Sequence, residues 1–341
     1  MNIAIIHTRL YCLDGVSLEA EKWSRIYTKL GHNVFFIAGK IDKKKENSLV
    51  IPMGDYLNPK IKKLHKKAFD KELPKEEKKK LIKEIYSYAS LIKPKIKTFI
   101  IKNKIKLVSV ENIFSLPFNI PLTIAVADII EELNLPCITR HHDFYWERSS
   151  TFKTTKNLTP ILKKYFPPKR KNMVHITINK NGRASLKKLK KINSKLIYNH
   201  FDSHNLQKDD EFNANLRKDL KVNKDTIIFL QPTRIVERKQ IELSIKLVSS
   251  VQKLINKKCI LLISGPPTEN LNYAKRLEKL SRKLGVKIVY CYKLVRINRK
   301  RDKKHRIYSM SDAYKKSDIV TLPSSIEGFG NPVIESALNK K

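Results

Sequence analysis

Two carboxylates, Glu327 and Glu335, stand eight positions apart in Glu327-Gly328-Phe329-Gly330-Asn331-Pro332-Val333-Ile334-Glu335. The segment follows an apolar run, Asp318-Ile319-Val320-Thr321-Leu322-Pro323. Ionised carboxylates accept hydrogen bonds from hydroxyls. Between them, Asn331 is placed to cap a helix and Pro332 to occupy its first position, where a missing N–H costs nothing. Free amides at such a helix start converge on an anion, and the helix dipole favours negative charge there. Gly328 and Gly330 allow close backbone approach or positive φ. The chemistry this suits is binding of a sugar attached to a phosphate. The same spacing also fits a plain strand-to-helix turn whose glutamate serves its own helix dipole, and spacing alone leaves both open.

Three further polar groups fall at the ends of apolar runs. Asp14-Gly15-Val16-Ser17 is a glycine turn opening a helix, suited to an anion or to a structural turn. His141-His142-Asp143-Phe144-Tyr145-Trp146-Glu147-Arg148 combines paired histidines, acids and aromatics. It can position a sugar by stacking and hydrogen bonding, with a histidine stabilising developing charge, or it can be a half-buried loop with satisfied histidines. Adjacent histidines on one loop do not alone close a metal shell, so no metal site is expected. In Pro232-Thr233-Arg234-Ile235-Val236-Glu237-Arg238-Lys239, Arg234 and Lys239 flank the start of a helix, where two cations and free amides suit a diphosphate.

The elements that must position these groups alternate throughout, short apolar runs with helical periodicity, which predicts α/β layering with parallel strands. Strands are expected at Asn2–His7, Asn33–Ala38, Lys106–Glu111, Pro136–Arg140, Val174–Ile178 and Ser194–Ile197. Helices are expected from Ser17 to Leu30, with Ser17 as N-cap and Gly31 just past the end, and from Pro121 to Leu133. The pattern restarts with strands Thr226–Leu230, Cys259–Ser264, Lys287–Tyr290 and Asp318–Leu322, and helices Ile241–Leu254 and Asn270–Leu284. The polar stretch Asn199 to Lys224 divides the halves, giving domains at residues 1–205 and 206–341. Ligands of parallel sheets lie beyond the C-terminal strand ends, here in a cleft between two domains.

The 341 residues are enough for two full cores, and no run of about 18 apolar residues occurs. The start, Met1-Asn2-Ile3-Ala4-Ile5-Ile6-His7, reads as a strand rather than a signal peptide, which makes the expected location cytoplasmic. Cys12, Cys137, Cys259 and Cys291 have no metal-ligand spacing and are expected to be reduced. The formal charge of +39 is mostly lysine spread along the chain. Compositional drift accounts for it, with peripheral contact at an anionic membrane as the other reading. The lack of an arginine–aromatic cluster argues against a specific nucleic-acid site. Lys60 to Leu81 is expected to be a solvated helical pair broken at Pro74, with apolar positions too sparse to bury well and a surface open to lipid. Arg296 to Arg306 is expected to be an exposed loop.

In chain order, Asp14-Gly15-Val16-Ser17, His141-His142-Asp143-Phe144, Arg234 with Lys239, and Glu327 to Glu335 together resemble the family 4 retaining glycosyltransferases over nearly the whole chain. The last element is similar to that family's E-x7-E motif. DGVSLEAEKW, HHDFYWER and Ser317 to Ser336 also resemble a subgroup that includes mannosylglucosylglycerate synthase-like enzymes. The resemblance implies a GT-B fold of two facing Rossmann-like domains. It implies metal-independent transfer of a hexose from a nucleotide-diphosphate sugar to an acceptor hydroxyl with retained configuration, the nucleotide sugar serving as co-substrate and no cofactor being needed. By motif matching, Arg234 and Lys239 neutralise the donor diphosphate, Glu327 holds the hexose, Glu335 holds the ribose, and the amides of Phe329, Gly330 and Asn331 help bind the sugar or phosphate. His142 lies under the sugar, and Gly15 and Ser17 border the acceptor or a phosphate. Gln240 stands where many members have glycine. The chain ends at Lys341 where relatives continue, so the second domain is expected to be incomplete, and a truncated, catalytically inactive binding protein is the alternative function.

Overall fold

The computed structural model describes residues 1–12, 14–42, 46–201, 206–296, 299–301 and 306–341. Within them the chain separates into two compact units, Met1–His200 and Phe201–Lys341. Residues 202–205, beside the boundary expected from sequence, lie outside the described residues.

In the N-terminal unit, β1 (Asn2–Ile6) is buried at Ile3, Ala4, Ile5 and Ile6. An uninterrupted apolar run is what a parallel strand covered on both faces requires. Helix α1 (Gly15–Lys29) leads to β2 (Asn33–Ala38) and β3 (Ser48–Val50). After α2 (Pro59–Phe69) and α3 (Lys75–Lys102) come β4 (Leu107–Glu111), α4 (Ile120–Glu132) and β5 (Cys137–His141). Then α5 (Thr159–Tyr165), β6 (Met173–Thr177), α6 (Lys180–Lys190) and β7 (Lys195–Leu196) complete the unit. The strands form one parallel sheet of order β3-β2-β1-β4-β5-β6-β7.

Helix α1 starts earlier than expected, and its cap is Asp14 rather than Ser17. The Asp14 carboxylate accepts from Val16 N at 3.1 Å and Ser17 N at 3.0 Å. Ser17 is left in the first turn, where its buried hydroxyl accepts from Cys12 N at 2.8 Å. The exit is as expected, with Gly31 at φ +79°.

The pair α2 and α3 corrects the expectation of a solvated, lipid-facing segment. Ile61, Leu64, Ala68 and Phe69 of α2 are buried, and α3 carries a buried stripe of Leu81, Ile85, Ala89, Ile92, Ile96 and Ile100. Both join the main core with α4. The apolar positions are sparse only when the window stops at Leu81; at spacings of three and four they line one helix face. What remains outside is lysine, at Lys60, Lys62, Lys63, Lys66 and Lys67.

The C-terminal unit contains β8 (Ile227–Gln231), α7 (Ile241–Ile255), β9 (Cys259–Ile263), α8 (Leu271–Lys283) and β10 (Lys287–Tyr290). Then α9 (Met310–Lys316), β11 (Ile319–Val320) and α10 (Asn331–Leu338) follow. Its parallel sheet has the order β10-β9-β8-β11. Successive strand residues face opposite layers. Ile228, Leu230, Ile260 and Leu262 pack with Tyr308 and Tyr314, whereas Phe229, Leu261 and Ile263 pack with Ile241, Ile245 and Val248.

The segment expected to be an exposed loop instead contributes short paired strands, Val295–Arg296, Lys300–Arg301 and Arg306–Ser309; residues 297, 298 and 302–305 lie outside the described residues. Arg299 anchors it through Asp210 and the fully buried Asp312, with its guanidinium 4.9 Å from the Phe212 ring centre. Charge pairing there supplies what the apolar pattern lacks. The four cysteines are buried free thiols.

Candidate functional site

In the C-terminal unit the candidate residues gather beyond the end of β8. Gln231, fully buried, ends that strand and donates from Nε2 to the Lys239 carbonyl at 3.0 Å. This fixes the one-turn 3₁₀ helix Glu237–Lys239 against the strand. The Lys239 ammonium, 9% exposed, pairs with Glu327 Oε1. Arg238 Nη1 lies 3.5 Å from Glu327 Oε2 and donates to the Ile326 carbonyl at 2.9 Å. Burial alone would raise the Glu327 carboxyl; Lys239 above all, then Ser324 and Arg238, outweigh it and hold the group below the usual carboxylate range. A carboxylate kept ionised beside two cations can accept from hydroxyls, and the Lys239 ammonium can meet a diphosphate.

Arg234 pairs with a different carboxylate. It is 43% exposed at the side chain, and its Nε donates to Glu269 Oε1 at 2.9 Å on the turn after β9. Arg238 takes the place beside Glu327 that sequence gave to no residue. In so basic a chain no single arginine stands out, and only the fold shows that residue 238 faces residues 325–327.

Glu335 lies on α10, where its Oε2 accepts from the buried Tyr314 hydroxyl at 2.7 Å. Burial, then the Glu335 charge, raise that phenol well above its usual range. The helix cap differs from expectation. Gly330 at φ +78° is the N-cap, Asn331 is the first helical residue and Pro332 the second. A residue that must turn left-handed to enter a helix favours glycine over asparagine. Phe329 stacks on Phe201 at 6.2 Å between ring centres.

Gln240 sits at φ +45° and ψ +48°, the left-handed region, as the cap of α7. That conformation costs a side-chain-bearing residue about 1–2 kcal/mol, part of which glycine returns as greater unfolded-state entropy. Gln240→Gly is therefore expected to raise stability by about 0.5–1 kcal/mol. A urea midpoint equal to or below that of the parent chain would contradict this.

In the N-terminal unit the strand ends of β4 and β5 bring together a group of charges. Arg140, fully buried, lies 3.5 Å from Glu19 on α1 and 3.6 Å from Glu111 at the end of β4. Its guanidinium is 4.5 Å from the Trp23 ring centre, and Nη2 donates to Asn199 at 3.4 Å. Lys22 continues the alternation by pairing with Glu19. His142 Nε2 is 3.4 Å from Glu111 Oε2, and its backbone N donates to Asn112 Oδ1 at 3.0 Å. Burial would raise the Glu111 carboxyl, but Arg140, His142 and His7 hold it below its usual range.

The neighbouring His141 is a different case. Its Nδ1 meets Ser115 Oγ at 2.6 Å and its Nε2 meets His175 Nδ1 at 3.0 Å. Burial, then His175 and His142, push its imidazole far down, and burial takes His175 to about 4. Of the two histidines, His141 is thus held neutral inside the sheet edge and His142 faces the carboxylate. Gly15 lies in the first turn of α1, beside Ser17. Among the described residues no group of three or more His, Cys, Asp or Glu side chains could hold a metal ion, and no helix is long and apolar enough to cross a membrane.

These two strand-end clusters sit on Rossmann-like parallel sheets, and comparison with known proteins gives the class. Residues 212–340 match the family model described as glycosyl transferases group 1. The whole chain is similar to the mannosylglucosylglycerate synthases of Thermotoga maritima (32% identity) and Petrotoga mobilis (30%), spanning 79% and 81% of their lengths. Among solved structures, WaaG, a glycosyltransferase involved in lipopolysaccharide biosynthesis, matches 99% of the chain with 79% of its own (TM-score 0.63, 12% identity). Anabaena HepE in complex with UDP-glucose matches 100% of the chain with 79% of its own (TM-score 0.63, 14% identity). The chain belongs to the group 1 glycosyltransferases. Its fold is the GT-B fold of these neighbours.

Proposed function

We propose that this chain transfers a hexose from a nucleotide-diphosphate sugar to an acceptor hydroxyl with retained configuration and without a metal. The observation that carries this is the pairing of Glu327 with Lys239 and Arg238 beyond β8, beside the Gly330 turn. Lys239, with Arg234, neutralises the diphosphate as it departs, and Glu327 accepts hydrogen bonds from the hexose hydroxyls. Glu335 holds the ribose, and the amides of Phe329, Gly330 and Asn331 hold the sugar or phosphate. The N-terminal unit supplies His142 for the developing positive charge, and Gly15 and Ser17 border the acceptor or a phosphate. In the transfer the anomeric carbon–phosphate oxygen bond breaks and the acceptor oxygen–carbon bond forms on the same face. The leaving phosphate oxygen takes the acceptor proton.

The names of the relatives support a mannosyl transfer onto a glucosylglycerate-like acceptor, and the HepE complexes with UDP and UDP-glucose support a nucleotide-sugar donor. A thermal-shift screen against UDP-, GDP- and ADP-sugars tests the reading. A donor present at about 100 times its Kd adds about 2.7 kcal/mol to the native state, a readily measured rise in Tm. No shift with any donor, together with no nucleoside diphosphate release by a folded chain, would sink it.

A further inference from the structure

We propose that Arg238 is a positioning residue that keeps Glu327 charged and aimed at the hexose once the donor diphosphate has drawn Lys239 away. The inference rests on the donor-site reading given above. The two oxygens of Glu327 go to different cations, Oε1 to Lys239 and Oε2 to Arg238 at 3.5 Å. These cations are not interchangeable. Lys239 ends a flexible four-carbon stem and is a point charge that can move to a phosphate; Arg238 has a planar fork that can hold two acceptors together.

One guanidinium nitrogen already meets two acceptors. Arg238 Nη1 donates to the Ile326 carbonyl at 2.9 Å, and the same nitrogen faces Glu327. The main chain of Arg238 adds a second hold, its carbonyl accepting from Ser325 N at 3.0 Å and Ser325 Oγ at 3.2 Å. One residue therefore grips three consecutive residues, Ser325, Ile326 and Glu327. If Lys239 were the sole cation, its transfer to the diphosphate would strand a half-buried carboxylate, which would then take up a proton and lose acceptor capacity. With Arg238 in place the carboxylate keeps a partner throughout. The residue thus acts on the hexose half of the donor and not on the nucleotide half, and this separates it from a merely structural arginine.

The test compares Arg238→Met, Arg238→Lys and Lys239→Ala with the parent chain. Each is titrated calorimetrically with UDP, GDP and ADP and with UDP-glucose, GDP-mannose and ADP-glucose, and kcat and KM are measured with the donor that turns over. Arg238→Met is expected to bind the free nucleoside diphosphate within about twofold of the parent. It should lose about tenfold or more in kcat/KM and in affinity for the nucleotide sugar, the size of one charge-assisted hydrogen bond. Arg238→Lys should recover a large part of that loss. Equal weakening of the diphosphate and the nucleotide sugar, or no change in either, overturns the proposal. The donor-site reading fails separately, through Lys239→Ala binding the diphosphate as tightly as the parent or the parent binding no probe. Should Arg238→Met lose its cooperative thermal transition, Arg238→Gln, which can still donate to Ile326 but carries no charge, is read against the same outcomes.

Discussion

Lys239→Ala is expected to lower turnover of the nucleotide sugar by about 10²–10³, the range found when one preorganised partner of developing negative charge is removed. The ammonium is 9% exposed and ends at Glu327, so its loss acts twice. The departing diphosphate loses a cation in a partly desolvated site, where Coulomb attraction is stronger than in water. Glu327 loses the partner that, against burial, did most to hold its carboxyl down. The sign for stability follows. A carboxyl depressed in the folded state contributes stability that is present at neutral pH and lost as pH falls through its folded value, below the usual carboxylate range near pH 4. In Lys239→Ala the carboxyl is less depressed, with Arg238 as its remaining cation, and that acid-side loss should shrink. Steady-state kinetics at neutral pH and thermal melts from pH 3 to 7 check both parts. Turnover within about threefold of the parent would refute the assignment. Lys239→Arg keeps the charge but not the compact, mobile head, and is expected to fall between the two.

How much of this was legible in the sequence depends on the distance over which each feature is decided. β2 and β10 keep the bounds that their apolar runs predict, Asn33–Ala38 and Lys287–Tyr290. Each is one short apolar run, and such a run marks its limits even where, as in β10, the strand is only partly buried. The turn at residues 327–335 was also visible as a helix entry, although its cap falls on Gly330 rather than Asn331. Both are acceptable caps by composition, and the choice rests on which backbone angle the preceding chain imposes. Sequence shows the helical pair at Lys60 to Leu81 but not its burial, because lysine dominates its composition while the few apolar side chains decide its placement.

The charged groups were the least legible. Arg238 differs from Arg234 only in which loop the fold sets opposite it, Ser325 to Glu327 or Glu269. Glu19, Glu111 and Arg140 come from a helix and two strand ends far apart in sequence, and only Glu19 falls within a motif stretch. Their convergence is a product of strand order: β4 and β5 are neighbours, with Glu111 and Arg140 in register. A charge at the end of a buried strand is a sequence signal worth retaining, since such residues are seldom fully buried unless paired.

Arg140→Met is the substitution expected to harm the fold most. The methionine stem retains much of the packing against Trp23, so the effect isolates the charge. The native guanidinium lies 3.5 Å from Glu19 and 3.6 Å from Glu111, all three at most 1% exposed. Removing one partner of a buried ion pair costs about 3–5 kcal/mol, because the charge left behind cannot recover its hydration. A domain's whole margin is about 5–15 kcal/mol, so the N-terminal unit should melt much earlier. Glu19 still has Lys22, and the burden falls on Glu111. Its carboxyl, left with His142 and His7 to oppose full burial, should rise above its unfolded value. A raised carboxyl gains stability as pH falls through its folded value, so the deficit of Arg140→Met should narrow on acidification from pH 7 to pH 5. Adding Glu111→Gln removes the stranded charge and should recover about 0.5–3 kcal/mol relative to the sum of the single effects. Urea unfolding of the parent, the two single variants and the double variant at both pH values provides the cycle. If Arg140→Met falls within about 1 kcal/mol of the parent at pH 7, the buried charges are not coupled as described. If the double variant is simply additive, Arg140 acts through Trp23 and Asn199 rather than through Glu111.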